Sequence, residues 1–323
     1  MRRAITFCFC VASILASIGC NRQGAHFNGF TFAPDSSYLV GAYARLDSSF
    51  IYKIALDTGK AARLTKVSGG FEGVPSFSPD GKRMVYSYSP SGGGHSYIVI
   101  ANADGSGSRS WPSSDVDDLR PIFSPDNKTI IFARSSYYGS YSPIARPAQH
   151  EWNFYLGDLD GENLRQLTNE NFYMVSRASV SPDGKNLLFV SSEQNGDVVA
   201  IYSLEQPPKP KAILRPGVDD GSGNSVVADV TFMPDAKSIL FCAATTGAGG
   251  YFDYDIYRMD LLTQEKEQLT RANGFSYGLQ VSNDGKLAVF MRDISRWYRS
   301  RTDIILLDLA TRKQTPLKVT GLD

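Results

Sequence analysis

A short turn phrase occurs six times in this chain, and its spacing constrains the fold more than any other feature. Its common form is an apolar residue followed by Ser-Pro-Asp-Gly. From the aspartate of one copy to that of the next the interval is 45 to 57 residues. A repeat with a period near this size indicates a propeller or a solenoid. The copies are Phe32–Ser36, Phe77–Gly81, Phe123–Asn127, Val180–Gly184, Phe232–Ala236 and Val281–Gly285.

Each copy predicts a tight turn between two β-strands. Serine can hydrogen-bond back to the backbone, proline presets φ at the second turn position, and aspartate and glycine tolerate the conformations that follow. Apolar runs on both sides make the phrase a β-hairpin. Six residues after the aspartate the first copy has Gly41, whereas the other five copies have an aromatic residue. These aromatic residues are Tyr86, Phe132, Phe189, Phe241 and Phe290.

A third strand, rich in β-branched and aromatic residues, follows in every copy, and a short fourth strand ends in Leu-Thr in three copies. Four short strands per repeat form one blade of a β-propeller. The sequence therefore predicts an all-β fold, a six-bladed β-propeller of four-stranded antiparallel blades that fills residues 27–323. The first and last blades are both complete, with no spare strand, so the sequence leaves open how the ring is closed. Closure by packing alone would be weak, and we expect blade one, which has Gly41 in place of the repeated aromatic residue, to fray.

The repeat resembles that of the TolB-like propeller family. The shared pattern is an aromatic residue with Ser-Pro-Asp-Gly-Lys, an apolar strand, Asp-Ile-Tyr-x-Met-Asp and Leu-Thr. It is best seen in Phe77–Lys82, Asp255–Asp260 and Leu269–Thr270. The resemblance implies the fold but leaves the function open, because the same blade occurs in envelope scaffolds, in peptidases and in a polysaccharide lyase. TolB proper has an α/β domain before its propeller, whereas the first repeat here begins almost at the start of the mature chain.

Residues 1–19 have the features of a secretory signal peptide. Arg2 and Arg3 supply a charged region, and an apolar stretch too short to stay in the membrane as a spanning helix follows. The segment resembles a bacterial lipoprotein signal, with Ser17 where leucine is usual. That resemblance implies cleavage before Cys20 and lipidation of its thiol and amine. Ordinary secretion, with Cys20 inside a longer signal, is the alternative.

Residues 20–26 would then be a lipidated cysteine and a tether. A tether of this length reaches roughly 20 Å when extended, so the propeller would lie close to the bilayer. Anchoring by more than one acyl chain is firm. Asn21, where aspartate would signal retention, implies a place at the outer membrane, facing the periplasm.

Charge and cysteine content argue against a nucleic-acid-binding protein and against a fold held together by disulfides. The chain has 33 basic and 33 acidic residues. Removal of Arg2 and Arg3 with the signal leaves it slightly acidic, which argues against nucleic acid as a partner. Once the signal-peptide cysteines are gone and Cys20 is lipidated, only Cys242 remains, so no disulfide framework is expected. Cys242 follows a strand aromatic, a position that favours a buried apolar filler over a nucleophile.

The sequence contains no recognisable catalytic or metal-binding pattern. His26, His95 and His150 have no metal-ligand spacing, and no Gly-x-Ser-x-Gly elbow is present. The six repeat aspartates are explained as turn residues, not as general acids or bases. We therefore expect no catalytic residue, no metal and no cofactor.

Insertions between the second and third strands of a blade occur at 135–152, 243–254 and 292–302. Consecutive turns of such a blade alternate between the two faces, so these insertions lie opposite the Pro-Asp turns, on what we call the insertion face. Aromatic and arginine side chains on loops are common anchors of binding surfaces, although they could instead pack together and cap the blades. The candidate binding residues are Tyr137, Tyr138, Tyr141, His150, Trp152, Tyr251, Tyr254, Arg296, Trp297 and Tyr298.

Two functions of different classes follow. The first is a non-enzymatic, lipid-anchored binding scaffold of the cell envelope, with an envelope protein or a cell-wall glycan as partner. The second is a carbohydrate-active enzyme with its site at the propeller mouth, which would need two carboxylates roughly 5–10 Å apart. A blander possibility is a structural domain that pairs with a second copy of itself. The candidate acids are Glu72, Asp117, Asp118, Glu151, Asp219, Asp220 and Asp253.

Overall fold

The computed structural model of the protein describes residues 25–66, 69–112, 115–139, 148–193, 196–205, 208–215, 226–245, 253–271, 274–294 and 302–322. The predicted signal peptide and Cys20 lie outside these ranges. Within them, the regular structure is β-strand, and no helix is long and apolar enough to cross a membrane.

The strands form six successive antiparallel sheets, each of which is one blade. Blade one is β1 His26–Phe32, β2 Tyr38–Ala44, β3 Ser49–Ala55 and β4 Ala61–Arg63. Blade two is β5 Gly70–Glu72, β6 Ser76–Phe77, β7 Arg83–Pro90, β8 Tyr97–Asn102 and β9 Arg109–Ser110. Blade three is β10 Asp118–Phe123, β11 Thr129–Gly139, β12 Ala148–Asp158 and β13 Arg165–Gln166.

The other three blades repeat this plan. Blade four is β14 Met174–Val175, β15 Ser179–Val180, β16 Asn186–Glu193, β17 Gly196–Ser203 and β18 Lys209–Leu214. Blade five is β19 Val227–Phe232, β20 Ser238–Thr245, β21 Asp253–Asp260 and β22 Lys266–Gln268. Blade six is β23 Phe275–Val281, β24 Leu287–Asp293, β25 Thr302–Asp308 and β26 Gln314–Pro316. The prediction of a six-bladed, all-β propeller is confirmed; in blades two and four the first strand is split into two short segments.

Apolar clusters fill the interfaces between adjacent blades. The aromatic residue six positions after the repeat aspartate is central to them. Phe132 contacts Trp111 of blade two, with ring centroids 5.1 Å apart. Phe189 contacts Phe154 of blade three at 4.6 Å. Both phenylalanines are fully buried, so the repeated aromatic stabilises the packing of one blade on the next.

The repeat aspartates are turn residues, as the sequence predicts. In blade two, Asp80 Oδ1 accepts hydrogen bonds from Ser78 Oγ at 2.6 Å and from Lys82 N at 3.1 Å. Gly81 closes the turn with φ of 70°, a conformation that favours glycine. The serine hydrogen bond and then the backbone one lower the pKa of Asp80. The carboxylate is thus held ionised by local architecture.

The Leu-Thr phrase ties the fourth strand of a blade to the third. In blade five, Thr270 Oγ1 accepts from Ile256 N at 3.0 Å and donates to Asp255 Oδ1 at 2.8 Å. In blade three, Thr168 does the same with Phe154 N and Asn153 Oδ1. These contacts explain why the Leu-Thr phrase of the fourth strand recurs together with a polar residue, Asp255 or Asn153, on the third strand.

The absence of an aromatic side chain at Gly41 is compensated by its pairing partner in the preceding strand. Gly41 pairs with Phe30 across β1 and β2. A Cβ atom at position 41 would lie 2.6 Å from the Phe30 ring, and Phe30 is 1% exposed. Blade five has the opposite arrangement, with Val230 opposite Phe241. Blade one therefore supplies the interface aromatic from its first strand instead of its second.

A backbone contact between the last described segment and blade one contributes to closing the ring, a question that the sequence leaves open. The segment after β26 returns to blade one, where Thr320 forms a parallel bridge with Lys60. Ala61 N donates to Thr320 O at 2.7 Å, and Thr320 N donates to Gly59 O at 3.0 Å. The sequence does not predict this contact, because the residues around Thr320 lack the alternating apolar pattern of a strand. The chain end nevertheless adds a backbone tie on the outer edge of blade one.

Candidate functional site

The hairpin β11–β12 extends the insertion face beyond the other described hairpins. Its two strands have 11 residues each, whereas β2 and β3 have 7. Pairing continues through Tyr137 with His150 to Gly139 with Ala148. The extension displays Tyr137 and Tyr138, which are 39% and 65% exposed.

Tyr173, from the connection between blades three and four, joins this hairpin. The His150 ring lies near both Tyr137 and Tyr173, with centroid distances of 6.4 and 4.7 Å and nearly parallel planes. His150 is buried, whereas Tyr173 is 51% exposed. Among the described residues, Tyr137, Tyr138 and Tyr173 are the exposed aromatic side chains, and we call them the tyrosine ridge. Tyrosines of this kind offer an apolar surface with a polar tip.

Two further candidates, Trp152 and Tyr254, lie inside the blades. Trp152 is 3% exposed and packs in the cluster between blades three and four. Tyr254 is 2% exposed and contacts Phe275 at a centroid distance of 4.4 Å. Both residues belong to strands that begin earlier than the sequence indicates, so they continue the inward alternation of β12 and β21. They support the insertion face from below.

The remaining candidates lie outside the described residues. They are Tyr141, Tyr251, Arg296, Trp297 and Tyr298.

The candidate acids that are described each accept hydrogen bonds from the chain itself. Asp118 accepts from Arg134 at 2.7 and 2.8 Å, and Asp117 accepts from Ser96 N at 2.7 Å. Asp253 accepts from Gly274 N at 2.7 Å, and Glu151 from Ser136 Oγ at 3.0 Å. These contacts order loops and strand ends. Asp219 and Asp220 lie outside the described residues.

Glu72 is the most unusual of these acids. It lies between blades one and two, is 1% exposed, and accepts from Ile51 N at 3.0 Å and from Thr65 Oγ1. Its Oε1 atom and the hydroxyl of Tyr86 are buried without a hydrogen bond of normal geometry. Burial raises the pKa of Glu72 to about 7, against the lowering effect of its Thr65 and Ile51 hydrogen bonds. Glu72, from blade two, thus accepts the hydrogen bond of the blade-one threonine Thr65. Asp255 and Asn153 have the same role for the threonines of their own blades.

A second group of residues, three of them charged, lies around the propeller axis, and sequence reasoning missed it. In every repeat it is the residue six positions before the turn aspartate, on or beside the first strand. We call this set the channel ring. Its members are Gly29, Val74, Arg120, Arg177, Asp229 and Gly278.

Contacts between blades show that the channel ring surrounds the axis. Arg177 of blade four donates through Nη2 to Pro75 O of blade two at 2.7 Å. A Cβ atom at Gly278 of blade six would lie 3.9 Å from the Cα of Gly29 in blade one, and one at Gly29 would lie 2.9 Å from Val74 Cγ2. Blades six, one and two therefore contribute two glycines and a valine to the channel ring. Blades three to five contribute its charged side chains.

The charged members of the channel ring are held by backbone groups. Arg120 donates to Val175 O, and Asp229 accepts from Gly278 N at 2.6 Å. Burial lowers the pKa of Arg120 and of Arg177 to about 10, and Asp229 partly offsets this. Burial raises the pKa of Asp229 to about 6, opposed first by its bond from Gly278 and then by Arg120. The three groups thus share one low-dielectric environment.

One sequence signal could have found this ring. Aligning the six repeats on their turn aspartate and reading six positions back shows two glycines, a valine, two arginines and an aspartate. Each is unremarkable alone, because a polar residue beside a short strand is common on a protein surface. Only the propeller geometry brings them together.

Two further observations concern metal-binding groups and Cys242. Among the described residues, no group of three histidine, cysteine, aspartate or glutamate side chains could hold a metal ion. Cys242 is free and fully buried, and burial raises the pKa of its thiol. A buried thiol of this kind packs as a small apolar side chain.

Comparison with known proteins gives one match in sequence. No protein-family model matches the chain. A protein TolB homolog from Chlorobium chlorochromatii is 35% identical over 178 residues, which are 55% of this chain and 37% of that protein. The chain thus spans well under half the length of the curated relative that it matches.

Solved structures share the fold at low sequence identity. TolB from Acinetobacter baumannii has 17% identity and a TM-score of 0.62, over 93% of this chain and 66% of the other. An oligogalacturonate lyase from Vibrio parahaemolyticus has 13% identity and a TM-score of 0.57, over 86% and 77%. Because a TolB protein and a lyase share this fold with the chain at low sequence identity, these likenesses describe architecture alone. This chain is a six-bladed β-propeller whose fold resembles that of solved TolB structures and whose sequence is similar, over 178 residues, to a TolB homolog.

Proposed function

We propose that this chain is a non-enzymatic binding scaffold of the cell envelope that holds a partner protein on its insertion face. The observation that carries the proposal is the tyrosine ridge, which unites the exposed aromatic residues of the described chain on that one face. Tyrosines on a rigid scaffold supply large contact area at low entropic cost. The sequence likeness to a TolB homolog supports an envelope setting.

A cell-wall glycan is the second candidate partner, because exposed tyrosine rings also stack on the apolar faces of sugars. The carbohydrate-active enzyme has less support. Each candidate acid that the structure describes is engaged by backbone or side-chain donors of the chain itself. These acids therefore have structural partners before any substrate binds.

The tyrosine ridge is tested by paired double variants. Tyr138→Ala with Tyr173→Ala should lower the affinity for the envelope partner at least tenfold, since aromatic anchors often cost about 2 kcal/mol or more when truncated. Leu164→Ala with Leu262→Ala is the matched control, because those leucines are 44% and 92% exposed on turns of the opposite face. Co-purification from membranes, followed by titration of the captured partner, measures both. Equal loss in the two double variants would refute the proposed face.

Membrane attachment through Cys20 belongs to the same proposal, with the propeller at the outer membrane and facing the periplasm. We expect Cys20→Ala to abolish incorporation of a labelled fatty acid and to move the protein from the membrane to the soluble envelope fraction. Cys242→Ala is the control and should keep both the label and the membrane fraction. Retention of label by the Cys20 variant would contradict the anchor while leaving the binding face untouched.

A further inference from the structure

The channel ring concentrates positive charge that the protein does not fully compensate. Arg120 and Arg177 face the axis from adjacent blades, and Asp229 is the carboxylate whose charge acts on both. Neither arginine forms an ion pair with a carboxylate of the described chain. A guanidinium out of bulk water is costly unless it is paired. The described part of the ring therefore has an excess of one positive charge.

The hydrogen-bonding capacity of the two arginines is also underused. Each guanidinium has five N–H donors. Arg120 makes one described hydrogen bond, to Val175 O, and Arg177 makes one, to Pro75 O. Both residues are partly exposed. Two forks from neighbouring blades suit the oxygens of a planar anion.

The backbone at Arg120 argues that its side chain has a use. Its φ is 57°, and Gly278 at the same repeat position has φ of 69°. A residue with a Cβ is disfavoured in this conformation, and glycine is the residue that the position favours. Arginine is present here despite that conformational cost, as is often found for strained residues at functional sites.

We propose that the channel ring binds a single carboxylate group between Arg120 and Arg177, a site distinct from the tyrosine ridge and independent of the proposed function. Charge balance selects the ligand class. With Asp229 ionised, one negative charge neutralises the ring, whereas a doubly charged phosphate would overcompensate it in a low-dielectric channel. The carboxylate belongs either to a small free acid or to an aspartate of a peptide that enters the channel.

The test uses Arg120→Gly, a substitution that places at this position the residue found in blades one and six. Because glycine suits the backbone, the variant should fold and melt at or above the temperature of the parent protein. Arg312→Gly is a matched control: its φ is 59°, and it lies on an exposed turn paired with Glu267. Calorimetric titration of the full-length protein uses two probes. One is acetate, and the other is acetyl-Gly-Asp-Gly-amide with its Asn counterpart as the neutral comparison.

The expected result is binding of acetate, of the aspartyl peptide, or of both, with affinity reduced about tenfold or more in Arg120→Gly and unchanged in Arg312→Gly. Binding of acetate alone would identify a free acid, and binding of the aspartyl peptide alone would identify a peptide partner. Asp229→Asn should tighten binding, because it removes the competing negative charge. If neither probe binds, or if Arg120→Gly binds as well as the parent protein, the proposal is overturned.

Discussion

Replacing Phe30 with alanine should lower the free energy of unfolding by about 3–5 kcal/mol, the usual cost of removing a buried phenylalanine. Phe30 is 1% exposed and contacts Phe27 at a centroid distance of 4.9 Å. No side chain stands behind it at Gly41, so the cavity would stay open. Urea unfolding measures the change. Tyr138→Ala, at an exposed position, is the control and should change the stability by less than about 0.5 kcal/mol.

A double variant separates this explanation from a simple core deletion. Gly41→Phe alone should be strongly destabilising, since its Cβ would lie 2.6 Å from the Phe30 ring. Phe30→Val with Gly41→Phe copies the Val230 and Phe241 pair of blade five and should recover most of the lost stability. Strictly additive losses in the double variant would show that the two positions do not exchange roles.

Glu72→Gln should make the protein less sensitive to pH between about 4.5 and 7. The pKa of Glu72 is raised to about 7 by burial, so the folded state favours the protonated acid. Its stabilising contribution is therefore complete below the unfolded pKa and is lost as the pH rises through the folded pKa. Between about pH 4.5 and 7 the Glu72 contribution to the free energy of unfolding falls by an amount on the order of 3 kcal/mol. A glutamine at this position does not titrate, so the variant should not show this fall.

The measurement is the difference in unfolding free energy between Glu72→Gln and the parent protein at pH 5 and at pH 8. We expect the variant to gain relative to the parent as the pH rises. Other buried acids such as Asp118 and Asp197, whose pKa values are raised by burial, act equally in both proteins and cancel. Glu265→Gln, at an exposed turn, is the control. A difference that is constant with pH would show that the Glu72 carboxyl is not protonated in the fold.

The blade number and the turn chemistry follow from the sequence because they are local and repeated. Each Ser-Pro-Asp-Gly phrase builds its own turn from contacts within five residues, as Ser78 and Asp80 show. Repetition then fixes the period. The exchange between Phe30 and Gly41 is also local, but it departs from the repeat and becomes visible only when the paired strands are seen.

The parts that the sequence did not reveal depend on distant segments. Thr320 pairs with Lys60, a residue of the first blade that is far away in sequence. Arg177 of blade four donates a hydrogen bond to Pro75 of blade two, across the propeller axis. The sequence places Trp152 and Tyr254 in loops because it indicates a later start for their strands, although Phe154 and Ile256, two residues on, share their buried side. A period-2 alternation extended by one pair would have placed both side chains in the core.

Photo-cross-linking in cells tests the proposed binding face most directly. A photoreactive amino acid would replace Tyr138 on the tyrosine ridge or Leu262 on the opposite face, at positions that are 65% and 92% exposed. The proposed function predicts a discrete adduct with an envelope component from position 138 and none from position 262. Adducts of equal yield from both positions, or from position 262 alone, would contradict it.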